Sequence, residues 1–165
     1  MKSMSVIVRT ITRLVYGFLL VFGLYVIAHG HLTPGGGFQG GAIVASGLAL
    51  SLVAFGLSNL KGRVREGFLS AMESLGAISF ISLALVGLGS TFFYNTLAGR
   101  GGLVFGERVL KGPNPGDMNT AGLIAPMNWA VGIKVLAGLG TVVYLMVLVG
   151  SLRDENEEET TGEGE

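Results

Sequence analysis

From Leu14 to Leu60 the chain carries no Lys, Arg, Asp or Glu. A water-soluble domain draws about a quarter of its residues from those four types to cover its surface. This chain has 13%, and seven of its eleven acids fall after Asp117. A run so long and so bare of charge has one comfortable solvent, the hydrocarbon of a bilayer, where a helix needs about 20 apolar residues to cross. Four stretches meet that length: about Thr10–Ala28, Phe38–Leu57, Phe68–Tyr94 and Pro126–Leu148. The expected fold class is therefore an all-α membrane protein, a bundle of four transmembrane helices with a long outer loop between the third and fourth. Residues 1–150 are expected to form one four-helix membrane domain, and 151–165 a disordered acidic cytoplasmic tail.

The first stretch has a basic flank, Lys2, Arg9 and Arg13, like that of a signal peptide. No small-x-small cleavage site follows it, so it reads as a retained helix. With four spans, both termini and the loop near residue 60 share one side. That side holds Lys2, Arg9, Arg13, Lys61, Arg63, Arg65 and Arg153, against Arg100, Arg108 and Lys111 on the other. The excess of basic loop residues marks the cytoplasm, so both termini are expected there, in a multi-pass protein of the cell membrane. The connection from Asn95 to Ala125 is too long for a plain turn, and LVFGERVL within it suggests a strand-like or re-entrant cap. The final DENEEETTGEGE is a block of acids without apolar anchors, which reads as a solvated tail.

Without cysteine the chain cannot form a disulfide or ligate an iron–sulfur cluster through thiolates, and zero net charge argues against a nucleic-acid partner. No Ser-His-Asp set, carboxylate dyad or phosphate loop stands in a workable context. The expectation is a non-catalytic chain with no cofactor and no metal.

Glycine weakens a helix interior more than any residue but proline, yet HGHLTPGGGFQGG occupies residues 29–41, between two apolar runs. GGGFQG matches G-x-G-x-x-G literally, but a dinucleotide fold needs a preceding strand and an acid about 20 residues on. Here the next acid is Glu66 and both flanks are spans. Gly37, Gly41, Ala45 and Ala49 instead recur every four residues, a ridge of small residues along one helix face. Helices associate in lipid by close backbone approach, which such a ridge permits. Thr33 is the expected N-cap, with Pro34 in the first turn. Gly76, Gly87, Gly132, Gly138 and Gly140 offer further narrow surfaces, which favours a subunit packed among other membrane chains.

GLYVIAHGHLTPGGGFQGGAIVAS, residues 23–46, resembles the signature of the B subunit of multisubunit cation/proton antiporters of the Mrp or Mnh type. The likeness is greatest to the MnhB-related subunits of archaeal membrane-bound hydrogenases and their sulfur-reducing relatives. The motif residues are Gly30, His31, Pro34, Gly35, Gly36, Gly37 and Phe38. The resemblance implies a membrane subunit of a Na+/H+ antiporter-like module, with other membrane subunits as partners and Na+ or H+ as the transported ion. One departure stands out: NWAVGIKV, residues 128–135, replaces the acidic, aromatic-flanked motif with which the antiporter subunits tend to enter the last span. That departure favours a module coupled to a redox complex over a stand-alone antiporter. A purely structural linker, and a self-sufficient small transporter, are the alternatives.

Four residues are candidates for an ion path. Lys134 lies inside the fourth span, where charge is costly, between Ala130 and Gly138 on one face; it can also snorkel or pair structurally. Glu73 can pair with Lys134 or line a half-channel, or sit simply as an N-terminal helix acid favoured by the helix dipole. His29 and His31 titrate near neutral pH, but they can equally tie the hairpin to a neighbour. Gln39 is expected to hydrogen-bond across helices, and Trp129 to anchor at the interface.

Overall fold

The structure is a computed structural model describing residues 4–32, 35–56, 66–98 and 121–162. Its four long helices are α1, Val6–Ala28; α2, Gly36–Phe55; α3, Glu66–Leu85, extended by a 3-10 turn at Val86–Gly89; and α4, Ile124–Gly162. All four are long and apolar enough to cross a membrane, and no strand occurs among the described residues. LVFGERVL lies outside the described residues.

The helices alternate in direction and stand in a row whose spatial order, α1–α2–α4–α3, differs from the chain order. α1 packs on α2, α2 on α4 and α4 on α3, while α1 meets α4 only narrowly. α2 is the most buried helix: 44% of its span is buried, against 17% for each of the others. The outer helices turn large apolar side chains outward, with Ile7, Phe18 and Val21 of α1 about 70% exposed and Phe68, Leu75 and Ile78 of α3 about 60%. Hydrocarbon or a neighbouring subunit is the environment that tolerates such faces.

At one end, the amide of Met4 donates to the carbonyl of Ala54 at 3.3 Å, and the Arg13 guanidinium lies 5.4 Å over the Phe55 ring. At the other end, Asn95 holds the two sides of the long connection together. Its Nδ2 donates to the Ala121 carbonyl at 2.9 Å, and its Oδ1 accepts from the Leu123 amide at 2.8 Å. Ala121 and Gly122 both take positive φ, 69° and 59°, to bring the chain into α4 under this clasp. Asn95→Ala removes both bonds, worth about 1 kcal/mol each. Hydrogen exchange at the Leu123 amide is then expected to accelerate about tenfold or more; unchanged protection would show the clasp to be idle.

Two sequence expectations change here. Gly35, at φ +78°, is the N-cap of α2, so the helix starts after Pro34 and not on it. A left-handed N-cap suits glycine, which has no Cβ to clash. Thr33 and Pro34 themselves lie outside the described residues. The segment from residue 151, expected as a disordered tail, continues α4 as a helix to Gly162. The span supplies the costly helical nucleus and glutamate is a good helix former, which carry the helix past its apolar run although acids at a helix C-terminus are disfavoured by the dipole.

Candidate functional site

The glycine-rich turn sits where three helix ends converge, and its missing side chains are what allow the approach. A Cβ on Gly36 would overlap the Cα of Gly30. A Cβ on Gly37 would come 2.5 Å from the Asn128 carbonyl oxygen, and one on Gly41 would come 2.7 Å from that of Gly132. The Gly37–Gly41 ridge, which continues to buried Ala45 and half-buried Ala49, therefore faces α4. One residue back, Gly40 faces α1, where a Cβ would lie 2.7 Å from the Gly23 carbonyl oxygen. α2 thus has two small-residue faces, one for each neighbour. The ridge that sequence reasoning read as a packing face is occupied by α4 of this same chain. The outer faces of α1 and α3 are the ones left for a partner.

Asn128 stands at the centre of this junction, and sequence reasoning noted it only as a residue entering the last span. Its Nδ2 donates to the Ile27 carbonyl at 2.6 Å. Ile27 belongs to the last turn of α1, whose carbonyls lack i+4 partners and are costly to leave bare in lipid; its carbonyl also accepts from the Gly30 amide at 3.3 Å. Gly30 and Gly37 make room for the carboxamide: a side chain at either would collide with it. The available signal was a lone Asn in an apolar run, one turn into a span.

His29 caps α1. Its Nδ1–H donates to the Tyr25 carbonyl at 3.2 Å and its ring stacks on Tyr25 with centroids 4.3 Å apart. His31 is half-buried in the following turn. Among the described residues no three His, Asp or Glu side chains gather as metal ligands. Gln39 is exposed, with its carboxamide folded over Gly35 and not across to another helix. Trp129 is 40% exposed near the start of α4, and Phe38 is 59% exposed.

Lys134 and Glu73 meet on the other side of α4. Both line a groove of about 510 Å³ between α3 and α4, to which Phe38 of α2 also contributes. Gly76 backs onto Lys134, with a notional Cβ 2.9 Å from the lysine Cβ. Gly138 lies under the Glu73 carboxylate, with a notional Cβ 3.4 Å from Oε1. Glu73 is half-buried and Lys134 exposed to the groove mouth, and no ion pair joins them among the described residues. At 1.5 Å per residue, Lys134 is about 15 Å from the start of α4 and Glu73 about 10 Å from the start of α3. Those starts lie on opposite faces of the membrane. A charge at that depth costs about 2.5–3.5 kcal/mol on insertion scales, so two of them in one groove are an expense that packing alone does not require. The face carrying Ala130, Lys134 and Gly138 is the face turned to α3.

Comparison with known proteins adds family information to this geometry. Residues 7–141, from the first turn of α1 to midway along α4, match the family described as "Domain related to MnhB subunit of Na+/H+ antiporter". A Staphylococcus saprophyticus protein named for the antiporter subunit mnhB2 is 33% identical over 154 residues, covering 93% of this chain and 99% of the relative. Its counterpart in Staphylococcus haemolyticus is 38% identical over 100 residues, 59% of this chain and 70% of the relative. An uncharacterized protein of Methanocaldococcus jannaschii is 39% identical over 130 residues, 78% of this chain; the match spans 47% of that longer relative.

Proposed function

Because the chain belongs to the family of domains related to the MnhB subunit of Na+/H+ antiporters, we propose that it is a non-catalytic, multi-pass membrane subunit of a multisubunit cation/proton-translocating complex. The observation that carries this reading is the extent of the family match, which runs from the first span into the fourth and includes the junction of three helices at Asn128. The outward apolar faces of α1 and α3 fit a subunit set between larger membrane partners. The finer reading is a complex driven by a cytoplasmic redox module of hydrogenase or sulfur-reductase type. It rests on the likeness of residues 23–46 and on NWAVGIKV in place of the antiporter motif. Both termini are assigned to the cytoplasm by the basic residues near residues 1–13 and 61–65.

Purification of the chain from native membranes in mild detergent, followed by intact-complex mass spectrometry and iron analysis, tests these statements in turn. Co-migration with several other membrane chains in fixed proportion is expected, together with iron–sulfur subunits. A stable, active homo-oligomer would overturn the subunit reading. A complex free of iron would reject the redox coupling and leave a stand-alone antiporter.

A further inference from the structure

The groove between α3 and α4 holds two opposite charges that the packing of the helices does not use. We propose that this groove passes protons, and not sodium ions, between Lys134 and Glu73; the proposal rests on the reading of the chain as a subunit of an ion-translocating complex.

The lining decides which ion fits. Apart from Glu73 and Lys134, every lining residue is Gly, Ala, Val, Leu, Ile or Phe. All of them lie within helices, so their backbone carbonyls are committed to helical hydrogen bonds. A hard cation requires a shell of several oxygen ligands. The groove offers one carboxylate, and beside it an ammonium group that repels cations. A proton needs no such shell, only one group that releases it, one that accepts it, and water between them.

The geometry supplies those parts. Glu73 reaches over Gly138, one turn along α4 from Lys134, so the acceptor lies nearer the membrane face where α3 begins. The two side chains are not joined in an ion pair, and the half-open groove they line, about 510 Å³, has volume for waters held by the carboxylate and the ammonium, its two polar groups. A proton leaving the Lys134 ammonium and arriving on the Glu73 carboxylate leaves both groups neutral. Glu73 then releases it toward the α3-start face, and Lys134 takes up another from the α4-start face. One proton crosses the middle of the bilayer and both side chains return to their starting charge. Gly76 and Gly138 contribute by absence, leaving the stem of Lys134 and the carboxylate of Glu73 close to the opposing helix.

Arginine in place of Lys134 distinguishes this role from structural pairing, since it keeps the charge and the bulk but does not give up a proton. The experiment uses the intact complex, reconstituted in proteoliposomes as wild type, Lys134→Arg and Glu73→Gln. Proton movement is followed with a trapped pH-sensitive dye and sodium by radiolabelled Na+/Na+ exchange, both normalised to assembled complex. The assembled Lys134→Arg complex is expected to lose proton movement by on the order of a hundredfold, the low end for a positioned proton-transfer group, with Na+/Na+ exchange retained. Proton movement at the wild-type rate, or sodium exchange falling in step with it, overturns the proposal. Should the arginine variant not assemble, Glu73→Gln, equal in bulk and unable to accept the proton, is read by the same criteria. If the wild-type chain purifies without partners, the subunit reading fails first. If the complex assembles and Lys134→Arg transports normally, this inference alone fails.

Discussion

Gly36→Ala is expected to cripple the fold, although it adds a single methyl group. That methyl would overlap the Cα of Gly30 and lie 2.8 Å from its carbonyl carbon and oxygen. Overpacking between side chains costs about 1–3 kcal/mol because rotamers can give way. At Gly36 both surfaces are backbone and no rotamer exists to yield. The end of α1 would have to move, and Asn128, held to Ile27 and lodged between Gly30 and Gly37, blocks that movement. A loss at or beyond about 3 kcal/mol corresponds to an apparent Tm lower by about 10 °C for a chain of this size. Gly17 supplies the control, since a Cβ there meets nothing within 4 Å. Gly17→Ala should be neutral or stabilising by up to about 1 kcal/mol, through helix propensity alone. Thermal unfolding of the two variants in the same detergent is the measurement. Equal melting temperatures would mean that the close contact of Gly30 and Gly36 does not hold the hairpin.

The second large effect is at Asn128, and there the order of two substitutions is the test. Asn128→Ala removes the bond to the Ile27 carbonyl and opens a gap beside Gly30 and Gly37. Interhelical hydrogen bonds in membrane proteins contribute about 0.6–1.7 kcal/mol, so a loss of about 1–2 kcal/mol is expected. Asn128→Asp keeps the shape yet should be worse. It replaces the donor with an acceptor that faces another acceptor, the Ile27 carbonyl, at about 1–3 kcal/mol. It also adds a charge near the membrane. The favourable effect of an acid near the start of α4 offsets about 0.3–1 kcal/mol of this, which is too little to reverse the sign. Melting temperatures should therefore fall in the order wild type, alanine, aspartate. An aspartate variant at least as stable as the alanine variant would show that donation to Ile27 is not what Asn128 contributes.

Much of the architecture was legible because membrane helices obey a length rule. The bare run from Leu14 to Leu60 requires two spans and a turn. The observed helices begin or end within a few residues of the expected bounds, except that α3 stops at Leu85, or at Gly89 with its 3-10 turn, short of the expected Tyr94, that Gly35 and not Thr33 caps α2, and that α4 outruns its span to Gly162. The spacing of Gly37, Gly41, Ala45 and Ala49 announced a packing face without saying against what. Periodicity reports which residues share a side of a helix and carries no information about the neighbour. Asn95 and Asn128 were not legible as clasps, because a single polar residue has no pattern; only its partner, 28 residues away for Asn95 and 101 for Asn128, gives it meaning.

By itself, the sequence determined that this polypeptide lives in a bilayer as four helices and that it bears the motif of the MnhB-related family. Both follow from local properties, the hydropathy of consecutive residues and the identity of a short run. Only the tertiary structure decided that α4 lies between α2 and α3, that the glycine ridge is closed within the chain, and that Lys134 and Glu73 share one groove. Residues 61 positions apart come together through the choice of which helix packs on which, and that choice depends on backbone approach at particular glycines, which local sequence properties do not encode.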